Sequence, residues 1–176
     1  GNEMLDNSSF QEVLNELFYD ALNTTDGELI PTAERDEVLG VVLNTGNGFE
    51  FIAFPAQEVS SCHMRRVMIN IPPSQYGNVV TMVHVHPFMP GTEIEDQRCI
   101  DARPDFIPGS TYSAFPSTAD RGAMASFNWR LRDFGFSNVP MVVLDEDKIS
   151  ILNDYNDDDN QSNSAIYNDP HDRCGY

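Results

Sequence analysis

Two of the chain's four histidines stand as His84-Val85-His86-Pro87. The run leading into them from residue 79 is β-branched and apolar, so it predicts a strand. On a strand, side chains two apart share a face, with Cα atoms about 6.5–7 Å apart. Two imidazoles at that spacing can converge on one metal ion. Pro87 ends the strand and places the pair at its terminus, beside a loop. Two further patterns carry carboxylates. Pro116-Ser117-Thr118-Ala119-Asp120 opens a predicted helix, where Ser117 is suited to the cap and an acid three residues later suits a capping box and the helix dipole. The same Asp120 could be a metal ligand, and Ser117 could offer a hydroxyl. Glu37, three residues before Gly40, begins a predicted strand, either as an ordinary strand-end carboxylate or as a base.

The elements that must position these groups are legible in part. Phe10, Val13, Leu14, Leu17, Phe18, Ala21 and Leu22 form one apolar stripe, which predicts a helix capped by Ser8 or Ser9 and ended between Asn23 and Gly27. Residues 38–43 and 49–54, around the turn Thr45-Gly46-Asn47-Gly48, predict a β-hairpin. A short strand is predicted at 67–71, stopped by Pro72-Pro73. Another at 79–86 is apolar on both faces, Val80, Met82, His84, His86 and Val79, Thr81, Val83, Val85, so it should be central. Residues 88–116 look irregular, with four prolines among mixed charge, and a loop of that length is usually functional or disordered. Because both ends abut the histidine and Ser117 motifs, it is expected to be a lid or wall beside the site. The second helix should bury Ala123, Met124, Phe127, Leu131 and Phe134 and stop at Gly135. Strands at 141–144 and 149–152, joined by Asp145-Glu146-Asp147, should follow. From residue 154 the chain is acidic and Asn-rich, which predicts a solvated tail. The order implies one α+β domain over residues 1–153, with a mixed sheet flanked by helices.

The 176 residues suit a single domain, and the net charge of −18 argues against nucleic acid and anionic membrane surfaces. No apolar run is long enough to span a bilayer. No leader peptide is visible, and the expectation leans slightly to the cytoplasm, a removed leader aside. Three cysteines, Cys62, Cys99 and Cys174, with no CxxC pair argue against a disulfide framework. Cys62-His63 and His171 with Cys174 hint at a second metal site. Neither pair has partners at a supporting spacing, so both are expected to be surface or core residues. HExxH, GxSxG, the phosphate-binding P-loop and the dinucleotide glycine pattern are all missing.

Taken together, Glu37-x-x-Gly40, His84-x-His86-Pro87 and Pro116-Ser117-x-x-Asp120 resemble the JAMM signature of the MPN/JAB metallopeptidase family. The element order over roughly residues 8–153 is similar to that fold, a cytidine-deaminase-like three-layer arrangement. One departure is the stretch at 88–116, longer than the family's usual connection. The resemblance implies zinc held by His84, His86 and Asp120, with the fourth position open to water. It implies Glu37 as the base and Ser117 as a hydrogen-bond donor to the developing oxyanion. The implied reaction is hydrolysis of a peptide or isopeptide amide, on a protein or peptide substrate. The alternatives are a catalytically silent MPN-like scaffold whose cleft the long loop plugs, and an interaction domain in which the HxH and SxxD motifs never meet.

Overall fold

A computed structural model describes residues 4–113 and 116–153. The expected tail at 154–176, with His171 and Cys174, lies outside the described residues, as does Phe115. The first helix, α1 (Ser8–Leu22), buries Phe10, Leu14, Phe18 and Leu22 as its stripe requires. Its cap is Asn7 rather than Ser8 or Ser9. The Asn7 side chain accepts from the N–H groups of Ser9 and Phe10 at 2.9 and 3.2 Å.

The predicted hairpin forms as β1 (Val38–Asn44) and β2 (Phe49–Ala53), paired antiparallel. The histidine strand is β5 (Val79–Val85), whose far neighbour is β6 (Met141–Leu144), followed by β7 (Ile149–Leu152). The sheet order is β2-β1-β5-β6-β7, with β5 at the centre. Only β5 and β6 run parallel. The connection between them carries residues 88–116 and the second long helix, α3 (Thr118–Asp133). The chain is therefore an α+β protein with a five-stranded mixed sheet.

Both faces of the sheet are covered. Phe10, Leu14, Phe18 and Leu22 of α1 pack with Val42, Val83, Val85 and Val142 on one side. Met124, Phe127 and Leu131 of α3 pack with Leu39, Val41, Met82 and Val143 on the other. Each fully buried side chain of this size stabilises the fold by about 1.5–3 kcal/mol. The alternation expected along β5 breaks once. Val42 pairs with Thr81 and Leu43 with Val79, so Val80 is an extra residue and turns to the α1 side, while Val79 joins the α3 side.

Other expectations need correction. The predicted strand at 67–71 is replaced by a two-stranded ribbon, β3 (Ala56–Val59) with β4 (Met64–Val67). Ile69 and Ile71 are apolar because they pack on the α3-side core, not because they belong to a ladder. Phe134 is 54% exposed instead of buried, since α3 has already ended at Asp133. Gly135, with φ of 85°, supplies the expected stop. The stretch at 88–116 is not structureless. It holds a short helix, α2 (Gln97–Asp101), a bridge between Glu93 and Thr111, and a small core of Phe88, Ile94, Cys99 and Tyr112. A disulfide joins Cys62 to Cys99 across 37 residues, contrary to the expectation from cysteine count. No helix among the described residues is long and apolar enough to cross a membrane.

Gly40 has a steric reason to be glycine. It pairs with Ala53, and a Cβ there would lie 2.1 Å from the Ile52 carbonyl oxygen and 2.7 Å from the Phe51 ring. Gly40→Ala is expected to lose about 3 kcal/mol or more in urea denaturation. Gly122, inside α3 with nothing within 4 Å of its would-be Cβ, is the contrasting case. Gly122→Ala should gain about 0.5–1 kcal/mol. Equal effects at the two positions would contradict the packing described for β1.

Candidate metal centre

The β1–β5 register assembles the first half of the site. Val38 pairs with Val85 and Leu39 with His84, so Glu37, one residue before β1, comes opposite His86. Leu39 lies on the α3 side of the sheet, and cross-strand partners share a face, so His84 and Glu37 both point under α3. Two backbone bonds hold the strand ends beyond the ladder. The His86 N–H donates to Leu144 O at 2.7 Å, and the Glu37 N–H donates to Ser60 O at 2.9 Å.

The first turn of α3 brings the second half. Ser117 is the N-cap and Asp120 the third helical residue, and they form a complete capping box. The Asp120 N–H donates to Ser117 Oγ at 3.1 Å, and the Ser117 N–H donates to Asp120 Oδ2 at 2.8 Å. The cap does not exclude a role for Asp120 in the site, because a carboxylate has several acceptor positions. Asp120 Oδ1 lies 3.2 Å from His84 Nε2, and Oδ2 lies 3.1 Å from His86 Nε2. Glu37 comes next, with Oε2 at 3.6 Å from His84 Nε2 and Oε1 at 3.7 Å from His86 Nε2. All four residues are buried, Glu37 at 7% exposure despite its place at a strand end.

The structure therefore unites Glu37, His84, His86 and Asp120, which are far apart in sequence. The HxH and SxxD motifs do meet in space. Ser117 is also present, exposed at the mouth of the same cleft.

The electrostatics of this cluster ask for a cation. Burial alone would pull the His84 imidazole down, but the Asp120 and Glu37 carboxylates raise it to about 10. Burial would raise Asp120, yet the imidazoles, His84 first, hold its carboxyl far below the usual carboxylate range. Both ring nitrogens of His84 are nevertheless without a hydrogen-bond partner among the described residues. A buried, orphaned imidazole facing carboxylates is costly in a bare protein and ordinary in a metal site. A Glu37 oxygen and one nitrogen from each of His84 and His86 lie within 4.8 Å of one another, so one ion could touch all three. The donor set, imidazole and carboxylate, fits a divalent cation.

The surroundings fix the geometry. Phe88 stacks on the His86 ring at 5.1 Å and Tyr112 stacks on Phe88 at 4.2 Å. The first residues of the 88–116 segment thus wedge His86 in place. His84 and Asp120 face a small cleft of about 230 Å³, whose walls include Leu39, Met64, Val67 and Met141. Of the described part of that segment, Arg103 lines the cleft. His63 also lines the cleft. Burial and then the Arg65 charge lower its pKa. Neither Arg103 nor the position of His63 carried a sequence signal, because both arrive through loop packing rather than through a periodic element.

No protein-family model, no curated protein and no solved structure matches this chain.

The cluster makes a direct claim on metal content. Protein purified without chelator or reductant should carry about one divalent ion per chain, and His86→Ala should lose it, as expected when one of three or four ligands goes. Chelation should lower the melting temperature, and metal in hundredfold excess over Kd should restore about 2.7 kcal/mol. Equal metal content in wild type and His86→Ala would contradict the assignment.

Proposed function

We propose that this chain is a zinc-dependent amide hydrolase of the JAMM type, with an MPN/JAB-like fold. The observation that carries the proposal is the approach of both imidazole Nε2 atoms to the two Asp120 oxygens, at 3.1 and 3.2 Å, with Glu37 beside them and a cleft alongside. Helices on both faces of a sheet, with the histidine strand central, agree with the proposed fold.

His84, His86 and Asp120 would hold the ion, and Glu37 would stand beside it as the base. Zinc, when bound, supplies Lewis acidity toward the scissile carbonyl and lowers the pKa of water toward neutrality. The chain's own residues supply the rest. Glu37 takes the proton from the attacking water and delivers it to the leaving amine. Burial keeps that carboxylate from bulk solvent, and the Ser60 carbonyl fixes its backbone. Ser117 Oγ accepts from the Asp120 N–H, which leaves its own proton free to donate to a developing oxyanion. The apolar wall of Leu39, Met64, Val67 and Met141 suits an aliphatic or small side chain next to the scissile bond. A peptide or protein substrate accords with that wall, and the charge of −18 disfavours nucleic acid.

Glu37 has a second candidate role, as a metal ligand, since its carboxylate is within reach of the same ion as the two imidazoles. One substitution separates the two. Glu37→Gln should retain the ion and lose about 10²–10⁴ in kcat on a cleavable peptide, the usual worth of a positioned base. Loss of the ion would make Glu37 a ligand instead. Retained wild-type turnover would remove it from the chemistry.

Ser117 is separable in the same way. Ser117→Gly should cost only a few tenths of a kcal/mol, because glycine is an adequate N-cap. The same variant should lose about 10²–10³ in kcat if the hydroxyl serves the oxyanion. An unchanged kcat would confine Ser117 to capping.

A further inference from the structure

The pair Cys62-His63 has no partner at a recognisable spacing in the sequence. The fold supplies one. Cys99, on α2, comes from the 88–116 segment to meet them. One donor atom from each of Cys62, His63 and Cys99 lies within 4.8 Å of the other two, apart from the His84 cluster. His63 Nδ1 is 3.4 Å from Cys62 Sγ, close to the separation of neighbouring ligands around a tetrahedral ion. In this structure the two sulfurs are joined as a disulfide.

We propose that Cys62, His63 and Cys99 form a second, thiol-dependent metal site that opens when this disulfide is reduced. The occupant is a soft-tolerant divalent ion, zinc foremost, because two thiolates and an imidazole select it over magnesium or calcium. A dithiol reductant supplies the electrons. It transfers two electrons and two protons to the Cys62–Cys99 bond, which breaks to two thiols, and is itself oxidised to a disulfide. The ion then displaces one proton from each thiol.

The surroundings favour occupied thiolates over bare ones. Cys99 is fully buried, and a thiolate left there alone would be an uncompensated charge. Two thiolates and a divalent ion are together neutral. Ser60 Oγ lies 3.4 Å from each sulfur and 2.9 Å from His63 Nδ1, and Ser61 Oγ lies 3.5 Å from Cys99 Sγ. The Ser60 hydroxyl is placed to donate to one of the sulfurs once the ion takes His63 Nδ1, as outer-shell partners commonly do, whereas the Ser61 hydroxyl already donates to Asp96 Oδ2 at 2.7 Å. Cys62 and His63 both line the cleft beside the proposed active site, while Cys99 sits beneath it. Three protein ligands would leave a fourth position for water.

The site would also tie the cleft wall to redox state. Ser60 O receives the Glu37 N–H, so the turn bearing Cys62 and His63 is the one that holds Glu37. From the other side, Arg98 of α2 donates to Arg35 O at 2.7 Å and bonds Asp36. Disulfide and metal are then alternative clasps between α2 and this turn, and either keeps the wall assembled.

The experiment compares metal uptake by the full chain before and after reduction with a phosphine, anaerobically, using zinc for stoichiometry and cobalt for spectroscopy. The increment is the readout, so it is independent of whatever the His84 centre holds. Reduction should add about one equivalent of zinc, and cobalt should show intense thiolate charge-transfer absorption that is absent before reduction. Cys99→Ser and Cys62→Ser should each abolish the increment. Cys62 is partly exposed, so its variant remains informative if Cys99→Ser does not fold. His63→Ala should weaken the added ion at least tenfold. No increment on reduction, an increment that survives in a folded cysteine variant, or unchanged affinity in His63→Ala would overturn the proposal.

Discussion

Two buried carboxylates, Glu37 and Asp120, each lie within 3.1–3.7 Å of both His84 and His86 beneath the first turn of α3. Water is largely excluded from them, and the interior does not screen their charges well. A proton shared with His84 relieves part of the repulsion between Asp120 and Glu37, which is why that imidazole is driven to about 10. A divalent ion would relieve it more fully, and would give His84 Nε2, which makes no well-aligned hydrogen bond, a partner. Much of the architecture exists to bring these four groups to one point. The antiparallel β1–β5 pairing sets Glu37 opposite His86, and the parallel β5–β6 pairing sends the chain over the sheet so that α3 can start above them.

The capping box lets one small motif serve both the helix start and the proposed site. Ser117 and Asp120 satisfy each other's backbone N–H groups, as a helix start requires. That exchange also fixes the Asp120 carboxylate, whose two oxygens divide between two imidazoles. A carboxylate whose rotamer is locked by its own helix cap would lose little entropy on binding an ion. The Phe88 and Tyr112 stack does the same for His86 from the other side. The long segment after the histidine motif is therefore part of the site's frame, and its small core anchors it.

The parts of this arrangement that were legible in the sequence are those written in short periodic patterns. The α1 stripe, the hairpin around Gly46, the central β5 and the spacing of Ser117 and Asp120 follow from local rules. Glu37, His84, His86 and Asp120 are named by their motifs, and the fold brings them together. What was illegible depends on long-range packing. Ile69 and Ile71 imitate a strand because they face a core rather than a ladder. Val80 breaks the alternation because its partner strand skips a residue. Cys99 meets Cys62 only after a segment with four prolines folds around Phe88 and Tyr112, and no spacing rule spans 37 residues.

The central proposal is that His84, His86 and Asp120 hold one ion beside Glu37, and anomalous diffraction at the metal edge tests it most directly. Crystals grown without chelator or reductant, with data collected on both sides of the zinc absorption edge, should show one strong anomalous peak. That peak should lie in contact with His84 Nε2, His86 Nε2 and an Asp120 oxygen, at about 2.0–2.2 Å from each. A map with no peak among these residues, in crystals soaked with zinc, would show that the cluster is a buried proton-sharing network and would contradict the account.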